Sequence, residues 1–511
     1  MSINLRHPIR STRLLALATS LALFTGAVAC DKASEDTNPP DKPVEAKPEP
    51  TEPARVYPEP PAPTAQRPVN FPELQKYELP NKLMVYIVEN HEVPIVDVQL
   101  VVKAGTVHDD LVADLTASIL TEGTKKRPKA KIDETIEQIG SSLDAGAGEH
   151  NTWISTRVLT PNLKTALDLI SDVAQNPKFD EAALTKLKDQ TKVAIKSQKS
   201  DGGELAQRLT SKLLYPEGHP YAPDFPTDAE IDGVTVASLQ TFHQTWYRPG
   251  NAYLLLSGDI TKADVEKLVE QTLGKWKPGG DFPPHPLEKY TAEDYRKAVP
   301  TELAVHIVDR NQISSDIVIA NVNGVARNSP EWVKMEAVTK LFGGGMASRL
   351  FRDIREERKL TYNIGAFEAP QKVVGAFAIV TQTKEVDQML IALFDHVHRL
   401  RTTDPTEVEF KSAVDGLALS FPLQIETASQ IAGKVSTILT YGLPENYYNT
   451  YIDEVRKLQI SDIKTAAANH IHTTPVIVIV GKAAKIKKQL KDVPLLADAK
   501  IYEYDTDLNP K

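Results

Sequence analysis

The sequence predicts an α+β protein made of two tandem copies of one domain, and three observations carry that expectation. The chain has 511 residues, more than one ordinary core accommodates, because chains beyond about 250–300 residues divide into domains. From about Phe71 onward, strand-like and helix-like stretches alternate. Their order then repeats: two short apolar strands close at Gly258 and Gly481, 223 residues apart, and amphipathic helices begin at Leu163 and Val386 with the same offset. Solenoid units are only about 20–50 residues long, so the repeat is a duplicated domain.

The first element is a leader. Arg6, Arg10 and Arg13 precede an apolar or small run, Leu14 to Ala29, that ends at Cys30, the one cysteine of the chain. That run falls short of the roughly 20 residues that span a bilayer, and its basic start and small-residue end read as an export signal over 1–29. Ala27-Val28-Ala29-Cys30 resembles a bacterial lipoprotein box, which implies lipid on Cys30. Next comes a tether, 30–72, with 11 Pro between 31 and 68; chain of this kind is extended and builds no core. A bacterial cell envelope is the expected location, with the body facing the periplasm; Asp31 leaves inner and outer membrane open.

The first domain is expected over 73–275. Leu83 to Val88 and Val93 to Val102 read as paired strands, the second with Val96, Val98, Leu100 and Val102 on one face. Helices are expected over Leu111 to Glu122, Ile132 to Ile139, Leu163 to Gln175, Glu181 to Gln198 and Val236 to Trp246. A turn at Arg248-Pro249-Gly250-Asn251 leads to the strand Tyr253 to Ser257. Pro and Gly mark a hinge over 276–300. The second domain, 301–511, repeats the order with strands Val305 to Val308 and Ile317 to Val322. Helices follow at Pro330 to Leu341, Val386 to Leu400 and Ile463 to Ile471, then the strand Val476 to Val480. Two such domains facing each other would enclose a cleft.

Composition excludes several functions. The net charge is −9, and outside the leader 68 acidic side chains face 56 basic ones, which disfavours a nucleic-acid partner. One Cys allows neither an internal disulfide nor a Cys-based metal cluster. His396 and His398 stand two apart on an expected helix, as do His470 and His472 at a helix end, a spacing that separates their side chains. Gly343-Gly344-Gly345 lacks the Gly-Lys-Ser/Thr ending of a phosphate loop.

The most specific stretch is Leu341 to Phe367, LFGGGMASRLFRDIREERKLTYNIGAF. It resembles the second domain of the pitrilysin/insulinase family of zinc metallopeptidases, where a Gly-rich turn leads through Ser-Arg-Leu-Phe and Arg-Glu to a strand beginning near a Tyr. Leu79-Pro80-Asn81, His219-Pro220-Tyr221, Tyr247-Arg248-Pro249-Gly250-Asn251 and Gly375-Ala376-Phe377 fit as well, so the resemblance spans roughly residues 75–500. It implies tandem domains, each a mostly antiparallel sheet packed with helices. Active members carry His-x-x-Glu-His on an early helix: two His ligate zinc from one face, a distant Glu completes the set, and the inner Glu activates the metal-bound water. The matching positions here are Asp114, Ala117 and Ser118, and the distant Glu falls on Ala194. No ligand remains and a methyl group replaces the general base. A makeshift zinc site of His108, His150 and Asp114 is the one alternative.

The resemblance also implies a second set of residues. In active members an Arg and a Tyr seven residues apart reach the bound peptide and help hold its oxyanion; Arg355 and Tyr362 match in type and spacing. One position departs: the family's Gly-Leu-Ala-Tyr is Lys359-Leu360-Thr361-Tyr362 here, which puts a side chain into the turn that aims Tyr362. Some bacterial members work as two unlike subunits. By that likeness the chain is expected to be the zinc-less, inactive, peptide-binding subunit, with no cofactor of its own and zinc in a partner bearing the full motif. The alternatives are a structural or binding lipoprotein without proteolytic role, or a zinc endopeptidase with non-standard ligands.

Overall fold

A computed structural model describes residues 69–511; the leader, Cys30 and most of the tether lie outside the described residues. Twelve strands form two six-stranded sheets, one from each half. The first half supplies β1 (Gln75–Glu78), β2 (Met84–Glu89), β3 (Ile95–Val102), β4 (Leu143–Ala147), β5 (Thr152–Leu159) and β6 (Ala252–Gly258), in the order β1-β2-β6-β3-β5-β4. The second supplies β7 (Ala304–Asp309), β8 (Ser315–Val322), β9 (Ile364–Ala369), β10 (Ala376–Thr383), β11 (Val476–Gly481) and β12 (Lys500–Tyr504), in the order β12-β7-β11-β8-β10-β9. Five of the six positions, all but β1 and β12, repeat one for one, as the offset predicts. Antiparallel pairing predominates, with parallel contacts at β2–β6, β7–β11 and β7–β12.

The neighbours differ from the expectation at one place. β2 and β3 do not pair. β6 lies between them, parallel to β2 (Met84 opposite Tyr253) and antiparallel to β3 (Val96 opposite Gly258). The reason is burial: β6 and β11 are covered at every residue, and an apolar run of that kind belongs at the centre of a sheet. The five-residue connection from β2 to β3 looks local in sequence, yet the central place goes to the strand that can fill both faces.

Helices bind the halves together. The helix Gly202–Leu214, from the first half, packs on β8 and β11 of the second sheet. Leu205, Ala206 and Leu209 join Val308, Val318, Val478 and Val480 in one buried cluster there. The helix Ala428–Tyr441 returns the arrangement, packing on β2, β3 and β6 of the first sheet. Residues 70–511 accordingly form one compact unit. The 276–300 segment is anchored as well: Leu287 and Tyr295 are buried in the same cluster, and Tyr290 donates through its hydroxyl to Gly218 O at 2.8 Å.

Candidate functional site

The helix expected to match the zinc-motif helix of the resembled family is Asp110–Ile119, capped by Asp109, whose carboxylate accepts from Val112 N at 3.0 Å. It packs on the helix Glu181–Lys199 through Leu115 and Ile119 against Leu184 and Leu187. Ala117 is fully buried, Asp114 and Ser118 are half-buried on the same helix, and Ala194 is half-buried on the other. None of Ala117, Ser118 and Ala194 can ligate zinc. Among the described residues no group of three or more His, Cys, Asp or Glu side chains is arranged to hold a metal ion.

The makeshift site fails for a separate reason. His108 sits against Trp246 and His285, with ring centroids 4.5 and 4.9 Å away, and His150 against Tyr221, Tyr441 and His285. His285, which the sequence did not single out, thus joins the other two imidazoles. Backbone amides donate into Nδ1 of His108 (from Gly105, 3.2 Å) and of His285 (from Leu287, 3.2 Å). In a neutral imidazole that puts the proton on Nε2, which becomes a donor and not a metal ligand.

Burial also decides the charge of this cluster. It pushes His108 down to about 4 and His150 down to about 3, with Lys372 and His285 adding repulsion. Both are neutral at pH 7. Their folded pKa values lie below the ordinary 6.5, so the unfolded chain binds more protons in acid, and the stability present above pH 6.5 is lost as pH falls toward 4. We expect a melting temperature that drops steeply between pH 6.5 and 4.5, each of the two contributing roughly 2–3 kcal/mol to the loss. His150→Gln flattens that profile; an unchanged slope in the variant would refute the assignment.

Arg355 and Tyr362 lie together. Arg355 is on a seven-residue π-helical stretch, Phe351–Glu357, and Tyr362 two residues before β9. The Arg355 guanidinium stacks over the Phe351 ring at 4.4 Å and the Tyr362 ring at 4.7 Å. Such contacts are worth about 0.5–2 kcal/mol. Arg355 makes no hydrogen bond among the described residues, and its one ionic neighbour is Glu356 at 3.7 Å. Tyr362 is 85% exposed. Arg349 shows the contrast within one motif: nearly buried, it donates from Nε and Nη2 to Glu409 at 2.8 and 3.2 Å and is spent inside the fold.

The surroundings aim the pair. Asp353, on the same stretch as Arg355, accepts from Arg358 Nε at 2.9 Å and bonds His396 Nε2 at 2.6 Å, which ties the stretch to the helix Val386–Thr402. The side chain of His396 thus has a structural use that its spacing from His398 did not reveal. Gly343 packs so closely on β9 that a Cβ there would lie 2.4 Å from Ala366 N, which fixes the Gly-rich turn beside the strand. Lys359 has φ +55°. The left-handed turn that a Gly would adopt freely is therefore kept with a side chain in place, at a cost of about 1–2 kcal/mol less the entropy a Gly would lose. Lys359→Gly is expected to raise stability by up to about 1 kcal/mol; a lowered melting temperature would contradict the left-handed assignment.

Comparison with known proteins is consistent with this geometry. Residues 84–216 match the family model described as Insulinase (Peptidase family M16), and 233–417 match the Peptidase M16 inactive domain. The chain belongs to peptidase family M16. An uncharacterized zinc protease of Streptomyces coelicolor is 20% identical over 71% of this chain and 79% of its own length. The non-peptidase homolog YmxG of Helicobacter pylori is 22% identical over 76% of this chain and 89% of its own. A crystal structure of a peptidase M16 inactive domain from Pseudomonas fluorescens superposes with a TM-score of 0.71 at 26% identity, covering 80% of this chain and 98% of that one. Within M16, this chain keeps the fold, and among its described residues no group of three or more His, Cys, Asp or Glu side chains could hold a metal ion. It is a catalytically inactive member.

Proposed function

We propose that this chain is the peptide-binding, zinc-less subunit of a two-chain M16 peptidase, tethered to a bacterial cell envelope through lipid on Cys30 and facing the periplasm. The observation that carries the reading is the Arg355–Tyr362 pair: a half-buried guanidinium stacked on an exposed phenol, with no side-chain hydrogen bond among the described residues. A guanidinium and a phenol so held present donors for a peptide carbonyl or a developing oxyanion. Zinc and the water-activating Glu would come from a partner bearing His-x-x-Glu-His. No helix among the described residues is long and apolar enough to cross a membrane, so attachment rests on the leader and Cys30.

The test is purification of the tagged full-length chain from its native envelope in mild detergent. Near-stoichiometric recovery of a chain bearing His-x-x-Glu-His, with chelator-sensitive peptide cleavage in the eluate, is the expected result. Recovery of the chain alone and inert would overturn the proposal in favour of a structural or binding lipoprotein.

A further inference from the structure

A cavity of about 420 Å³ opens where the two halves meet. Its lining combines Ser200 and Gly202, at the start of the crossing helix, with Arg310 and Ile313 from the β7–β8 turn, Asp316 on β8 and Gln382 on β10. Thr361, the residue before Tyr362, donates its hydroxyl to Gln382 O at 2.6 Å, which ties the segment leading into β9 to the end of β10 that lines the cavity. The volume is that of a small-ligand pocket, typically about 300–1,000 Å³.

The internal repeat shows what this cavity is missing. Asp316 lies opposite Val480, the residue before the closing Gly481 of β11, and opposite Gln382 on β10. In the first sheet Asp97 holds the same place, opposite Ser257 before Gly258 of β6 and opposite Arg157 on β5. Each Asp also meets the start of the helix that crosses from the other half: Asp97 bonds Ser429, and Asp316 lies so near Gly202 that a Cβ there would be 2.1 Å from its Oδ2. The two sites differ in the cation. Arg157 Nε pairs with both Asp97 oxygens at 3.1 and 3.3 Å. Asp316 receives only neutral carboxamides, Gln312 Nε2 at 2.8 Å and Gln382 Nε2 at 2.9 Å, and forms no ion pair among the described residues. Arg310, the one cation in the lining, turns its guanidinium to Ser200 O and Gln312 Oε1.

We infer that this cavity is a subsite for a cationic side chain, Lys or Arg, whose charge takes the place against Asp316 that Arg157 takes against Asp97. Ile313 is 80% exposed at the cavity and offers an apolar wall to the aliphatic stem that such side chains carry. Burial raises the Asp316 carboxyl above its ordinary value and Asp201 adds to the shift, while the Gln312 and Gln382 hydrogen bonds and the charge of Arg310 oppose it; an incoming cation would hold it ionised. The inference rests on the peptide-binding reading only for what carries the cation.

The test uses the full-length chain and two kinds of probe. A labelled alanine-rich peptide with one Arg is compared with the same peptide carrying citrulline, and N-acetyl-arginine amide is added alone as a small probe read by melting temperature. The Arg peptide is expected to bind about tenfold tighter than its citrulline twin, the scale of one charge-assisted bond. Asp316→Asn removes that preference. Gln382→Arg removes it too while raising the melting temperature, because it rebuilds the pair of the first sheet; it serves as the folded control. Equal binding of both peptides to the wild type, or an undiminished preference in Asp316→Asn, overturns the subsite. If peptides fail to bind at all but the amide stabilises the wild type and not Asp316→Asn, the subsite stands and the peptide-binding reading falls. If peptides bind without preference and the amide has no effect, the reverse holds.

Discussion

Replacing Leu209 by Ala is expected to lower stability by about 2–5 kcal/mol, the range for emptying a fully buried leucine site, and to loosen both sheets in one transition. Leu209 is completely buried and belongs to the first half, yet about half of its cluster is second-half strand residues, Val308, Val318, Val478 and Val480 among them. The reciprocal helix Ala428–Tyr441 carries the coupling back, with Tyr253 and Ser436 hydroxyls 3.4 Å apart and Asn151 Nδ2 donating to Thr440 Oγ1 at 3.2 Å. Neither half can release its crossing helix without exposing the partner's sheet. Hydrogen exchange at β6 and β11 checks this directly. Both strands should lose protection by the same free energy in Leu209→Ala, and loss confined to β11 would show that the halves open independently.

Arg355→Ala should reduce turnover by the two-chain peptidase about 10- to 100-fold while the melting temperature and the assembly stay near wild type. The magnitude is that of removing one charge-assisted donor to a peptide or its oxyanion. Stability is spared because the guanidinium bonds nothing in the fold beyond two ring faces and a 3.7 Å contact with Glu356. Arg355→Lys should restore little, since a point charge lacks the planar fork that stacks between rings and bonds carbonyls. Tyr362→Phe tests the hydroxyl alone at a position 85% exposed, where surface changes cost within about 0.5 kcal/mol. Unchanged turnover in both Arg355→Ala and Tyr362→Phe would make the pair a relic.

Much of the fold was legible in the chain. The helices Leu163–Gln175 and Val236–Trp246 fall where their periodicity puts them, and the strand that closes each half ends on its glycine. These are local properties: hydrophobic period, caps and turn residues act within one or two turns of backbone. The repeat offset and the spacing of Arg355 and Tyr362 are likewise written in residue types, as is the expectation that Asp114, Ala117, Ser118 and Ala194 stand where the resembled family keeps its zinc site. The helix ends were legible only to within a few residues; the expected Leu111 to Glu122 is an α-helix to Ile119 followed by a 3₁₀ turn.

Other features belong to the tertiary structure alone. Which strand lies beside β2 was decided by a segment more than 150 residues away, because only β6 can bury both faces. That each half lends a helix to the other's sheet has no local signal, since an amphipathic stripe names an apolar partner but not which one. Lys359 keeps the left-handed turn that Gly would favour because packing of Leu360 and the bonds of Asp353 hold the chain on either side. His285 beside His108, and Asp316 at a cavity lined from both halves with no ion-pair partner among the described residues, arise where segments distant in sequence converge. The sequence thus determined which chemistry the chain has kept and lost. Only the folded arrangement decided where the kept groups meet, because pairing, burial and charge neutralisation are contacts between residues that the chain itself holds far apart.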